Sequence, residues 1–278
     1  MLDKDLLEKA YQRIVNEKKS EFETGFVDLD NVLSGVEKGA LITIGARPAM
    51  GKTTLVTSIL EYLIKSNKKV LFFTFQHSKL IFLTKLLAQI AEVSAIKTRF
   101  GEISEKEEGQ LLEAKEILAN SNLELVSKTM SVDEVVEKIR ESNAEYVFID
   151  GLQLIKINLK KQISDELANV ASKLKEVAEQ KGIYIISTTQ LSRALESRCD
   201  KRPMLADIRS SGAIEEFSDV VMFIYRPEYY DAEDEYYRGQ AEIIVAKNNF
   251  GHTVNLSLVF NAKIPKFYTM ESSLNAEF

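Results

Sequence analysis

Tryptophan is absent from this 278-residue chain, and cysteine occurs once, at Cys199. A single thiol excludes an intramolecular disulfide and fits a reducing compartment. Set in Ser-Arg-Cys-Asp-Lys-Arg, it is either an ordinary loop cysteine or a thiol acidified by nearby cations. Proline and glycine are scarce, at 4 and 12 residues, and no low-complexity or repeated segment interrupts the chain. Long hydrophobic runs are missing as well. No stretch approaches a membrane span, and the start Met-Leu-Asp-Lys-Asp is not a signal peptide. The expected location is the cytoplasm. An excess of positive charge is also lacking, since 36 Lys and Arg face 42 Asp and Glu for a net charge of −6. A global basic field is thereby excluded, although a ring or groove that binds nucleic acid needs only a local positive lining. The two histidines, His77 and His252, lie in loops without a cysteine or carboxylate constellation, which argues against a metal site on either.

What the chain does have is 45% hydrophobic residues, arranged as alternating strand and helix patterns from residue 40 onward. Continuous apolar runs at 40–45, 70–75, 146–150, 183–188 and 220–225 read as strands buried on both faces. Between them, 55–65, 79–93 and 163–181 have helical periodicity. Ser104 with Glu107 and Ser131 with Glu134 are capping boxes that open helices to about residues 120 and 141. A short strand is expected at 123–126. Two late strands, 241–247 and 254–260, flank the hairpin-like Asn248-Asn249-Phe250-Gly251. The fold class is therefore α/β, a mainly parallel sheet flanked by helices with an antiparallel C-terminal edge. Residues 3–19 form a polar helix with one narrow apolar stripe, Leu6, Leu7, Ala10, Ile14 and Val15. So thin a stripe needs a partner, either the same domain or a neighbouring subunit. Residues 1–21 are read as an arm and 22–278 as the domain.

Ala46-Arg47-Pro48-Ala49-Met50-Gly51-Lys52-Thr53-Thr54 follows the first of these strands and opens the next helix. That context makes it a phosphate cradle. Backbone N–H groups of Arg47, Ala49, Met50, Gly51, Lys52, Thr53 and Thr54 converge on an anion, aided by the helix dipole. Lys52 reaches β- and γ-phosphates, and the Thr53 hydroxyl holds Mg²⁺. The strict pattern has glycine where Ala46 stands, with Gly45 one residue earlier. Asp150 ends a neighbouring apolar strand, where its carboxylate either holds Mg²⁺ through water or caps a helix. Gln190, ending the next strand, is placed to sense a γ-phosphate.

With these residues assembled, the chain resembles the C-terminal motor domain of DnaB-type replicative helicases, a RecA-like P-loop NTPase. The resemblance rests on Thr24-Gly25-Phe26-Val27-Asp28-Leu29-Asp30, the P-loop, Phe148-Ile149-Asp150-Gly151-Leu152-Gln153-Leu154 and Thr189-Gln190-Leu191-Ser192-Arg193. Residues 200–209, Ser211-Gly212-Ala213-Ile214-Glu215 and 223–230 continue it, so that it spans roughly 22–262 in order. The stretch 200–215 separates it from recombinase relatives of the same fold. The resemblance implies a hexameric ring that hydrolyses Mg-ATP at subunit interfaces and moves 5′→3′ along single-stranded DNA. It further implies that 3–19 is a linker helix docked on the adjacent subunit, and that other replisome proteins are partners. The family's N-terminal domain has no counterpart in these residues. Arg209, Ser210 and Gly212 match the DNA-facing loop. Lys160 and Lys161 lie in another loop expected at the ring's centre, unless they are simply a solvated surface pair.

Three working positions depart from the family. Its water-activating glutamate is Gln76 here, and an amide orients water without taking its proton. Its trans-acting lysine and arginine are Lys247 and Asn249, so the arginine is lost. Ser210 replaces a glutamate in the DNA loop. Two functions follow as expectations. One is a helicase motor using Lys52, Gln76, Asp150, Gln190 and Lys247. The other is a nucleotide-binding assembly or regulatory protein with little ATPase activity.

Overall fold

The computed structural model describes residues 3–15, 20–157, 162–208, 212–231 and 233–272. Strands β1 (Leu41–Ala46), β2 (Val70–Thr74), β3 (Leu123–Val126), β4 (Tyr146–Asp150), β5 (Tyr184–Gln190) and β6 (Val220–Tyr225) are followed by β7 (Gln240–Asn248), β8 (Val254–Asn261) and β9 (Lys266–Tyr268). They form one sheet in the order β3-β2-β4-β5-β1-β6-β7-β8-β9. From β3 to β6 all neighbours are parallel, and from β6 onward they are antiparallel. The expected parallel sheet with an antiparallel edge is what the chain builds.

Period-two alternation divides these apolar strands between two cores. Ile42, Ile44, Phe72, Tyr146, Phe148 and Ile186 face α3 (Lys52–Lys65), α4 (Lys79–Ile90) and α6 (Glu105–Ala119). Leu71, Phe73, Val147, Ile149 and Ile185 face α7 (Val132–Glu141) and α8 (Ile163–Lys181). Burial on both faces explains why these strands read as unbroken apolar runs. Both capping boxes form: Ser104 and Ser131 accept from the N–H groups of Glu107 and Glu134, whose carboxylates return to the serine N–H groups.

Several boundaries differ from the sequence reading. The helix expected over 79–93 stops at Ile90, because Glu92 turns left-handed at φ 55°, and a separate α5 (Ala95–Phe100) follows. The strand expected at 183–188 extends through Gln190, continued by pairing with Gly45 and Ala46 of β1. Short α2 (Val27–Val32) and α9 (Gly212–Phe217), as well as β9, were not expected from periodicity, since each is too short to express it. Helix α1 (Lys4–Val15) precedes them all, and Leu7, Tyr11 and Val15, spaced four apart on one face, are each more than half exposed. No helix among the described residues is long and apolar enough to cross a membrane.

Candidate nucleotide site at the strand ends

β1 delivers the chain to a turn whose tightness is set by two left-handed residues, Ala49 (φ 64°) and Gly51 (φ 96°). A side chain at Gly51 would meet the Phe267 ring at 3.0 Å, so both backbone angle and space require glycine there. Gly45 is equally closed, since a Cβ there would lie 2.9 Å from Leu191 and Phe223. Helix α3 starts at Lys52, so the N–H groups of Lys52, Thr53 and Thr54 have no partner earlier in that helix. They and the helix dipole face the space beyond β1.

Lys52 folds back over the turn and donates to the carbonyls of Ala46 (3.0 Å) and Arg47 (3.2 Å). Burial pushes its pKa down to about 8, with Asp150 opposing and Arg47 adding to the shift. A buried ammonium with only carbonyl acceptors is stabilised when an anion arrives. Arg47 has a different posture. Its Nε donates to Glu196 at 2.8 Å and its guanidinium to the Leu191 carbonyl at 2.9 Å. Its side chain is therefore pinned to the strand-end loop, leaving its backbone in the turn.

Asp150 is fully buried, and strand alternation turns it toward α3. Thr53 Oγ1 donates to one carboxylate oxygen at 2.7 Å, and Thr188 Oγ1 donates to the other at 2.7 Å. Thr74, the register partner of Asp150 on β2, has a buried hydroxyl without a hydrogen-bond partner among the described residues. Hydroxyls and a carboxylate form an all-oxygen donor set, the chemistry that suits Mg²⁺ with several retained waters. Thr74 and Thr188 were not singled out from sequence. Finding them requires the strand order β2-β4-β5, which places one threonine on each side of Asp150.

Gln190 pairs in register with Ala46 and is exposed beside the turn. Gln76 is exposed two residues beyond Thr74, on a connection anchored by the Phe75 N–H to the Asp150 carbonyl at 3.0 Å. Lys52, Thr53, Asp150, Gln190 and Gln76 therefore share one sheet edge. Lys247 and Asn249 do not. Lys247 is level with Thr43, and Asn249 donates from its backbone to Asp219, whose carboxylate takes the Leu41 N–H. From Leu41 to Ala46 the strand rises roughly 17 Å, so Asn249 stands at the far edge from its own turn. Lys247 Nζ donates to the Glu215 and Glu216 carbonyls at 2.7 and 3.3 Å, near the end of α9. Gly212 begins α9, while Arg209, Ser210, Lys160 and Lys161 lie outside the described residues.

The arginine at the end of β6 is a further feature that sequence reasoning did not single out. Arg226 donates to the Ala49 carbonyl at 3.3 Å and to Glu228 at 3.2 Å, and stacks on Phe260 with its guanidinium carbon 3.8 Å from the ring centre. Burial lowers its pKa, and its Nε has no hydrogen-bond partner among the described residues. A cavity of about 600 Å³ adjoins it, lined by Glu228, Arg238, Phe260 and Lys263.

The model of the DnaB-like helicase C-terminal domain matches residues 22–269. The chain belongs to the DnaB-like helicase C-terminal domain family. Replicative DNA helicase DnaC of Bacillus subtilis (strain 168) is 33% identical over 96% of this chain. Replicative DNA helicase DnaB of Geobacillus stearothermophilus is 32% identical over the same share. The chain spans 62% of the length of each of these relatives. Among solved structures, an ATPase domain superposes with a TM-score of 0.89 at 28% identity, covering 96% of this chain and 98% of its own. A DnaB-like replicative helicase, solved in a study of its interactions with primase, gives 0.87 at 27% identity, covering 96% of this chain and 66% of its own. The sheet order is thus that of the DnaB-like, RecA-type fold.

Proposed function

We propose that this DnaB-like domain is the motor of an ATP-dependent 5′→3′ DNA helicase, with hydrolysis slowed at Gln76 and Asn249. The observation that carries the reading is the fully buried Asp150 held between Thr53 and Thr188, beside the buried Lys52. Backbone groups from Arg47 to Thr54 cradle the phosphates, and Lys52 supplies the cation. Thr53 and Asp150 would hold Mg²⁺, Asp150 through water, and the ion when bound neutralises charge on the β- and γ-oxygens. Gln190 senses the γ-phosphate from beside Ala46, and Gln76 orients the attacking water.

Lys247 acts on a neighbouring subunit's nucleotide. Its level beside Thr43, about three residues below the turn that ends β1, supports a role in trans. Losing the arginine at Asn249 removes part of an effect worth roughly 10³–10⁵ in rate. Losing a full base at Gln76 costs roughly 10²–10⁴-fold. Ring assembly is supported by α1, whose exposed Leu7, Tyr11 and Val15 call for a partner surface. Leu80, Ile81, Ile96 and Phe100, exposed on α4 and α5, offer one. Single-stranded DNA would run through the ring's centre past Arg209, Ser210, Gly212, Lys160 and Lys161. Other replisome proteins would join the ring.

Steady-state ATPase with and without single-stranded DNA tests the reading, for wild type and Gln76→Glu. DNA-stimulated turnover that rises at least tenfold in Gln76→Glu is expected. Tight nucleotide binding without wild-type turnover, restored by Gln76→Glu, would overturn the motor and leave a nucleotide-dependent assembly protein.

A further inference from the structure

Gln76 and Asn249 leave two tasks short of a side chain: taking the water's proton and adding positive charge at the transferring phosphoryl group. The residue after Gln76 is His77, half-buried on the β2–α4 connection that the Phe75 to Asp150 hydrogen bond anchors. From the second turn of α4, Lys85 reaches back toward the start of its helix, as helical side chains do. Its Nζ lies 3.0 Å from His77 Nε2. An ammonium has donors only, so Nε2 must be the acceptor and the imidazole neutral, with its proton on Nδ1. Lys85 also borders, with Thr53 and Thr54, the cavity of about 520 Å³ at the start of α3. Lys85 thus shares a cavity with Thr53, whose hydroxyl bonds Asp150, and His77 follows Gln76 on the same strand-end connection.

We propose that His77 and Lys85 form a catalytic pair, His77 accepting the attacking water's proton and Lys85 supplying the missing cation to the γ-phosphate. The proposal rests on the reading that this domain hydrolyses ATP. In the resting pair, the Lys85 ammonium occupies the Nε2 lone pair. A γ-phosphate offers that ammonium a stronger, charged acceptor, and its departure frees Nε2. Water oxygen then bonds to the γ-phosphorus while the bond from phosphorus to the bridging oxygen breaks. The bond's electron pair leaves with ADP, the water proton passes to Nε2, and the imidazolium later returns it to solvent. Gln76 orients the water through its amide oxygen, a task that needs no proton transfer. One lysine and one histidine thus supply part of what a glutamine and an asparagine cannot.

The charged groups acting on the His77 ring are Lys85 from α4 and Asp150 from β4. Burial first, and Lys85 second, hold His77 below its ordinary value of 6.5, while Asp150 opposes them. The neutral, proton-accepting form therefore persists to the acid side of the usual histidine range, and the rate falls only below it.

The test is kcat and KM for ATP as a function of pH, in the full chain with single-stranded DNA, alongside binding of a fluorescent ATP analogue. His77→Ala is expected to lower kcat about 10²-fold with nucleotide affinity unchanged, and to abolish the acid limb. His77→Gln, closer in size, serves the same purpose should the alanine variant not fold. Lys85→Ala should lower kcat and move the acid limb to higher pH, because a neighbour that depresses His77 is gone. Lys85→Arg should restore both rate and limb, which a purely structural lysine would not do. Wild-type turnover with a limb that survives in both His77 variants would overturn the pair alone. A wild type that binds the analogue but does not turn over ATP would overturn the pair and the motor together.

Discussion

Lys52 illustrates how a buried cation weakens the folded state. Its folded pKa of about 8 lies below the unfolded value of 10.5, so the folded state disfavours the charged form. Below pH 8 both states carry the proton and the penalty is constant. Between about 8 and 10.5 the unfolded chain binds more protons, so stability rises with pH across that window. The gap in unfolding free energy between wild type and Lys52→Met should therefore shift in favour of wild type by up to about 3 kcal/mol between pH 8 and 10.5. Urea titrations at the two ends of the window measure it. At neutral pH, ATP should raise the melting temperature of wild type and leave Lys52→Met unmoved, since the ammonium is the group the phosphates neutralise. Arg47, two residues before the turn tightens, makes the opposite case. Its cation is already spoken for by Glu196 and the Leu191 carbonyl, so a charge in a phosphate-binding motif need not face phosphate.

Among the elements, α7 shows how a local signal and tertiary packing cooperate. Ser131 and Glu134 close its N-terminus reciprocally, and Lys156 pairs with Ser131 as an isolated parallel bridge. Its inner face, Val132, Val135, Val136 and Ile139, packs into the core shared with α8. Ser131→Ala should cost about 1 kcal/mol in chemical denaturation, with an unchanged dependence on denaturant, because only the cap is lost. The capping boxes and the strands 146–150 and 220–225 were legible because their causes are local: a side chain reaching its own backbone, or an apolar run of strand length. Helix α4 was not, since its end at Ile90 depends on Glu92 entering the left-handed region, for which no glycine or proline announces a stop.

For the whole molecule, the two edges of the sheet divide the work. One edge gathers Lys52, Thr53, Asp150, Gln190 and Gln76, while Lys247 stands level with Thr43 and Asn249 lies at the other edge. Such a division suits a chain whose site is completed by a second copy. On α1, Leu7, Tyr11 and Val15 are left exposed among the described residues. Removing residues 1–19 should shift the proposed ring to smaller species by light scattering, with the melting temperature nearly unchanged. A melting temperature that falls by many degrees would instead mean that α1 packs on its own domain. Binding to single-stranded DNA should weaken steeply with salt, as phosphate contacts do.

The sequence by itself determined the strand, turn and helix start around 46–54, the parallel sheet with its antiparallel edge, and the family, because these rest on neighbours in the chain or on period-two burial. Gly51 before Lys52, at the end of one apolar strand and the start of a helix, leaves few alternatives. Only the tertiary structure decided that Thr74 and Thr188 flank Asp150, that Lys247 stands level with Thr43 and bonds the end of α9, and that Lys85 meets His77. Each of those depends on which strands lie side by side and which way a helix returns. Strand order is set by the packing of helices on two cores, and no local pattern in the chain encodes it.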